Sequence, residues 1–258
     1  MTARPFLATL HYDGSGFVGW QRQSRGRTVQ GEIEAALEGL SGRRVAVRAA
    51  GRTDTGVHAL GQAVDFVVSE RWTGDALQRA LNAVLPSDVW VADVRRVVHG
   101  FDARRSARSR CYRYVIGTDR NARSPFRHPF EWALCRALDL DLLRSVTTGV
   151  VGQHDFRALA AVGHDGHYRC RVLAAEWAVR GAGRGVAFTI EADRFLHRMV
   201  RFLVGTMVDI GLGRRPAADL ETLLHSTDNR EASRPAPPQG LYLMAVHYPT
   251  DLFAEESQ

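Results

Sequence analysis

Hydrophobic and polar positions alternate in short bursts along the chain, and between the bursts they recur at helical spacing. Phe6 to Tyr12 predicts a first strand. Val29, Ile33, Ala36, Leu37 and Leu40 fall on one face of a helix that starts near Thr28. Val45 to Ala50 and Gln62 to Val68 predict two further strands. Ala76, Leu77, Ala80, Leu81 and Val84 give a second amphipathic helix, stopped before Pro86. Val89 to Val94 then continues as a strand. Strand, helix, strand, strand, helix, strand is the ferredoxin-like order, an antiparallel sheet with two helices on one face.

The second half reads in the same sense. Cys111 to Gly117 is a strand by composition, and Leu140, Leu143, Val146 and Val150 suggest a helix. Arg171 to Arg180 and Gly185 to Asp193 read as a hairpin across Gly181-Ala182-Gly183. A long helix from Phe195 to Leu212 places Arg198 and Arg201 three apart, on adjacent turns. A short helix from Ala217 to Leu224 and a Pro-rich link lead into a last strand, Leu241 to His247. The expected fold is α+β: two ferredoxin-like halves, 1–106 and 107–258, with antiparallel sheets meeting in a central mixed sheet.

Charge narrows the class of partner. The chain of 258 residues carries a formal charge of +6, and all 34 of its basic residues are Arg. Without Lys there is neither Schiff-base chemistry nor a P-loop lysine. Guanidinium groups bind phosphate bidentately and stack on bases, so the excess leans towards nucleic acid. Seven Arg (95, 96, 104, 105, 108, 110 and 113) lie among Phe101, Tyr112 and Tyr114, the mixture of a nucleic-acid track. The loop Trp20-Gln21-Arg22-Gln23 to Arg27 has the same character; packing of Trp20 inward is the alternative.

Other chemistries find little support. Gly14-Ser15-Gly16-Phe17-Val18-Gly19 is a formal G-x-G-x-x-G, but a polar loop follows where the dinucleotide fold needs a helix. Three scattered cysteines (Cys111, Cys135, Cys170) and no C-x-x-C fit a reducing, cytoplasmic setting with no zinc site. His154, His164 and His167 match no metal spacing. The N-terminus has no long apolar core of a signal peptide. The 195–212 helix carries His197, Arg198, Arg201 and Asp209, which suits no membrane span.

One turn concentrates reactive potential: Gly51-Arg52-Thr53-Asp54-Thr55-Gly56-Val57-His58, between two predicted strands. In an extended stretch Arg52 and Asp54 point to the same side, and a nearby cation favours the ionised carboxylate. Such an Asp can be a nucleophile or base. It can equally be a turn Asp bonded to its own backbone. Asp54-Thr55-Gly56 also spells the aspartic-protease triplet, but those enzymes need two triplets and this chain has one.

This turn resembles the signature of the tRNA pseudouridine synthase A family, with its catalytic Asp at position 54. Four further stretches agree in order and spacing. They are Tyr12-Asp13-Gly14 running to Gly19-Trp20-Gln21-Arg22-Gln23, Phe101-Asp102-Ala103-Arg104 running to Tyr112-Arg113-Tyr114, Phe195 to Arg201 with Val204-Gly205, and Gly240 to Val246. The resemblance spans about Leu7 to Pro249. It implies the pseudouridine synthase fold and isomerisation of uridine at tRNA positions 38, 39 and 40, with no cofactor and no metal, in a homodimer that binds the anticodon stem-loop. Asp54 would attack the sugar or the uracil ring or drive elimination; all three stay open. The resemblance further implies that Arg52 helps extrude the base, that Tyr112 packs on it, and that Arg201 pairs with Asp54 across the two halves. Trp20, Gln21, Arg22, Gln23, Arg104 and Arg113 would face RNA. Thr55 departs from the usual Ala, and 153–159 and 166–171 depart from the family's pattern. A non-catalytic RNA-binding module is the rival reading.

Overall fold

The opening alternation becomes β1 (Ala3–Tyr12), with Phe6, Ala8, Leu10 and Tyr12 buried on one face. The computed structural model describes residues 3–161 and 166–254, so His164 lies outside the described residues. Contacts divide the chain into two units, 1–108 with 243–258, and 109–242. The C-terminal stretch thus returns to the first unit, whereas the expected halves were divided once, after residue 106.

In the first unit, Thr28 caps α1 (Val29–Ser41) by accepting from the Gly31 N–H, and Gly42 closes it at φ 69°. Next come β2 (Arg48–Ala49), β3 (His58–Ser69), α2 (Gly74–Val84) and β4 (Val89–Arg96). The sheet order is β4-β1-β3, antiparallel throughout, with β2 on the far side of β3. That is the ferredoxin-like arrangement the sequence pattern predicts. β2 is only two residues long, although Val45 and Val47 are buried as the longer apolar run suggested. Gln78 and Asn82 of α2 bond the backbone of β4, so helix and edge strand are pinned as well as packed. On the opposite sheet face Leu7 and Ala63 pack with Ala50, Val97, Phe101 and Ala103.

The second unit holds β5 (Ser109–Gly117), β6 (Trp132–Ala133), α3 (Leu140–Thr147), β7 (Gly152–Asp155), β8 (Arg169–Arg180), β9 (Gly185–Ala192), α4 (Met199–Gly211) and α5 (Asp219–His225). Its sheet runs β5-β9-β8-β7, antiparallel, with β6 parallel to β5. β7 is a polar four-residue strand without alternation, so the hydrophobic pattern predicts no strand there. The long helix begins later than its apolar run. Arg198 has φ 61°, a left-handed conformation that cannot continue a helical ladder, so Phe195 to Arg198 precede α4. Arg198 therefore caps α4, and the expectation of Arg198 and Arg201 as neighbours on one helical face is corrected. The last strand, β10 (Leu241–His247), belongs to the first unit from Leu243 on and lies beside β3. Gly61 makes room for it: a Cβ there would stand 2.1 Å from the Met244 carbonyl oxygen.

Candidate active site

The turn that carries Asp54 joins β2 to β3 and is tethered along its length. The Ala50 N–H donates to the Ala63 carbonyl at 2.9 Å. The Gly51 carbonyl accepts from Gln62 Nε2 at 2.8 Å. The Thr53 carbonyl accepts from the Trp20 N–H at 3.0 Å, and the Asp54 carbonyl from the Val57 N–H at 3.1 Å. Gly56 supplies the φ of 76° that closes the last of these. Side chains alternate as an extended stretch requires: Arg52 is exposed, Thr53 is buried, and Asp54 is half-buried. The Thr53 hydroxyl meets the Tyr12 hydroxyl at 2.7 Å.

A second loop lies directly on this turn. Gly19, at φ 109°, brings residues 19 and 20 against it; a Cβ on Gly19 would sit 2.9 Å from the Thr53 oxygen and 3.3 Å from the Thr55 nitrogen. Gly14 approaches Val57 more closely still, and its N–H donates to His58 Nδ1 at 3.1 Å. Gly14 and Gly19 of the G-x-G-x-x-G are thus needed for backbone approach to a turn of protein. Arg27 closes the loop with a bidentate pair to Asp88 and a bond to Glu32. These carboxylates hold its guanidinium more firmly protonated than usual, the Asp88 hydrogen bond foremost and against the effect of burial.

The expected RNA-facing residues of this loop take different places. Trp20 is 3% exposed and packs near Tyr12, ring centroids 6.4 Å apart. A ring buried in this way offers no face to a base, which corrects the reading of Trp20 as a stacking platform. Gln23 bonds the Val18 carbonyl, and Arg22 pairs with Glu34 at 3.1 Å. Gln21, Arg22 and Gln23 are all exposed.

Arg104 stands on a neighbouring turn built by Asp102, whose carboxylate accepts the N–H groups of Arg104 and Arg105 at 2.9 Å each. Partial burial opposes ionisation of Asp102. The two backbone donors, with the charges of Arg48 and Arg105, outweigh it and hold the carboxyl below its ordinary value. Beneath the turn lies Asp65, 1% exposed, which accepts from Arg48 and from the Ala103 N–H. Arg48 also reaches the Phe101 carbonyl at 2.7 Å. Sequence reading passed over Asp65 and Gln62, yet both are polar residues inside an otherwise apolar strand, which was the available signal.

In the second unit Tyr112 is buried on β5 and meets the Phe195 ring edge-on, centroids 4.9 Å apart. Arg113, its exposed neighbour, bonds Thr189. Arg201 lies in the first turn of α4, half-buried, with Nε donating to the Ala236 carbonyl at 2.7 Å. Gly205 lets the 234–236 segment approach, since a Cβ there would stand 2.1 Å from the Arg234 oxygen. Tyr114, next but one to Tyr112, is buried with its hydroxyl on the Pro237 carbonyl. Burial pushes that phenol well above its ordinary value. Among the described residues, no group of three or more His, Cys, Asp or Glu side chains could hold a metal ion, and no helix is long and apolar enough to cross a membrane.

A family model described as tRNA pseudouridine synthase matches residues 8–104 and 148–249. The chain belongs to the tRNA pseudouridine synthase family. It is 41% identical over 241 residues to the tRNA pseudouridine synthase A of Myxococcus xanthus, covering 93% of this chain and 90% of that one. It is 42% identical over 248 residues to that of Solidesulfovibrio magneticus, covering 93% and 89%. To that of Acetivibrio thermocellus it is 35% identical over 239 residues, covering 93% and 97%. Two of this family member's departures have a plain structural setting. Thr55 is exposed, and in the departing 153–159 stretch the retained Asp155 accepts the Arg157 N–H at 2.9 Å.

Proposed function

We propose that this chain isomerises uridine to pseudouridine at positions 38, 39 and 40 of the tRNA anticodon stem-loop, with Asp54 as nucleophile. In the net reaction the bond from the sugar to N1 of uracil breaks and a bond to C5 forms. C5 loses a proton and N1 gains one. The observation that carries the reading is the Asp54 turn. Its backbone is tethered at Ala50, Gly51, Thr53 and Asp54, while Asp54 as a residue is only half-buried. A carboxylate on a rigid frame is what a nucleophile needs to meet one atom of an extruded base.

In this reading Arg52 assists extrusion of the base, Tyr112 packs on the flipped uracil, and Arg201 is the counter-charge to Asp54. Exposed Arg22, Arg104 and Arg113, with Gln21 and Gln23, contact the RNA. Recognition by shape and phosphate suits an enzyme that acts at several adjacent positions. The enzyme works in the cytoplasm as a homodimer, without cofactor or metal.

The test is carbodiimide mapping of an unmodified tRNA transcript after incubation with the protein. New stops at positions 38 to 40, absent with Asp54→Ala, are expected. A gel shift without any stop would favour a non-catalytic RNA-binding module instead.

A further inference from the structure

Thr53 is the only side chain between Arg52 and Asp54, and it points the other way, into the unit. Its hydroxyl lies 2.7 Å from the hydroxyl of Tyr12, at the end of β1. Tyr12 is 5% exposed and Thr53 7%. Gln62, fully buried on β3, approaches the same tyrosine oxygen with Nε2 at 3.4 Å and donates to the Gly51 carbonyl at 2.8 Å. The residues on either side of Arg52 are thus held from beneath by two buried polar side chains, and the residue before Asp54 is held twice, by its hydroxyl and by its carbonyl.

Gln62 is a costly way to fill that space. Its Oε1 is buried without a hydrogen-bond partner among the described residues. An apolar side chain of similar volume would avoid that penalty. A buried polar group kept at such a cost points to a duty other than stability. The amide orientation is set by the Gly51 carbonyl, which can only accept.

We infer that Tyr12, with Thr53 and Gln62, is a positioning residue for the reaction: its hydroxyl fixes Thr53 and so sets where the Asp54 carboxylate stands. The inference rests on the proposed role of Asp54. Tyr12 acts through Thr53, by fixing backbone. Loss of the hydroxyl loosens the turn without removing bulk, and a displacement of about 1 Å at a nucleophile lowers rate about a hundredfold.

The variants are Tyr12→Phe, Thr53→Val and Thr53→Ser, and two readouts separate the inference from the functional reading. The first needs no activity: amide hydrogen exchange of the intact protein. Tyr12→Phe and Thr53→Val are expected to speed exchange at the Trp20 and Val57 amides at least about tenfold, while amides in the middle of α2 exchange as in the wild type. Thr53→Ser, which keeps the oxygen, is expected to stay near wild type. The second is single-turnover isomerisation against tRNA binding. Tyr12→Phe and Thr53→Val are expected to slow turnover about ten- to a hundredfold with binding within twofold. The double variant is expected to be no slower than the slower single one, since the two hydroxyls act as one unit. Unchanged exchange at Trp20 and Val57 overturns the inference, and so does wild-type turnover by Tyr12→Phe. Equally faster exchange at every amide, α2 included, would also overturn it, by making the hydroxyl a general stability contact. A wild-type protein that isomerises no tRNA while the exchange result holds would instead remove the functional reading and leave the tether.

Discussion

Replacing Gly19 by Ala tests whether the Trp20 loop and the Asp54 turn form one mechanical part. Gly19 sits at φ 109°, where an L side chain is strained by about 1–3 kcal/mol. Its Cβ would also stand 2.9 Å from the Thr53 oxygen, 3.3 Å from the Thr55 nitrogen and 3.4 Å from the Asp54 carbonyl carbon. All three are backbone atoms, so relief requires the turn itself to move, at a further cost of about 1–3 kcal/mol for overpacking. Gly42 is the natural control. It has φ 69° at the end of α1 and nothing within 4 Å of a new Cβ. Gly42→Ala carries only the left-handed penalty, about 1–2 kcal/mol. The gain from stiffening the unfolded chain is common to both and cancels in the comparison. Gly19→Ala is therefore expected to be about 2 kcal/mol less stable than Gly42→Ala, a difference of about 1 M in urea midpoint for an m value of about 2 kcal/mol/M. Circular dichroism during urea titration measures it. Single-turnover isomerisation of tRNA should fall about a hundredfold in Gly19→Ala and stay at the wild-type rate in Gly42→Ala. Equal midpoints, or equal turnover, would refute the claim that the two segments are in forced contact.

Asp54→Asn keeps the shape of the turn and is expected to bind tRNA as the wild type does while losing turnover; equal loss of both would count against a nucleophile. Binding of tRNA should weaken about tenfold or more between 50 and 200 mM salt, because the Arg surface releases counterions, and a flat response in a filter-binding titration would sink the phosphate-contact reading. Arg48→Ala leaves the buried Asp65 carboxylate with the Ala103 N–H and should cost about 2 kcal/mol in urea unfolding, less than for a fully buried pair because Arg48 is half exposed. Asp102 is held below its ordinary value in the folded state, so its contribution is present above the unfolded carboxylate value, about pH 4, and is lost as pH falls through the folded one. Asp102→Asn should therefore flatten the acid limb of a stability-against-pH profile, and an unaltered limb would discount the Arg104–Arg105 backbone donors.

How much of this was legible follows from the range of each interaction. The amphipathic runs of α1 and α2 and the alternation of β1 are local, and they gave the right elements and the ferredoxin-like order of the first unit. The β8–β9 hairpin was equally legible from two β-rich runs around Gly181 and Gly183. β7 was hidden because its four polar residues take strand geometry only by pairing with β8. The start of α4 was misjudged because apolar periodicity continues through Phe195, while the left-handed backbone at Arg198 leaves no mark in the hydrophobic pattern. The return of the C-terminal residues to the first unit is a long-range event, and no local pattern records it.

The site divides along the same line. Motif resemblance picked out Arg52, Asp54, Tyr112 and Arg201, which are residues of chemistry. It also picked out Tyr12 and Gly19 but could not say why they belong with Asp54. The geometry supplies the reason for those two: Gly19 admits the Trp20 N–H to the Thr53 carbonyl, and Tyr12 holds the Thr53 hydroxyl. A motif about forty residues away in sequence is then part of the same turn, and its Gly14 and Gly19 serve contact between two pieces of backbone. The same logic explains Asp65, whose carboxylate ties Arg48 of β2 to the Ala103 turn and so joins a third matched stretch to the strand that follows Asp54. Three of the five matched stretches thus converge on the frame of one carboxylate, which is the arrangement expected if selection acted on where Asp54 stands as well as on what it is.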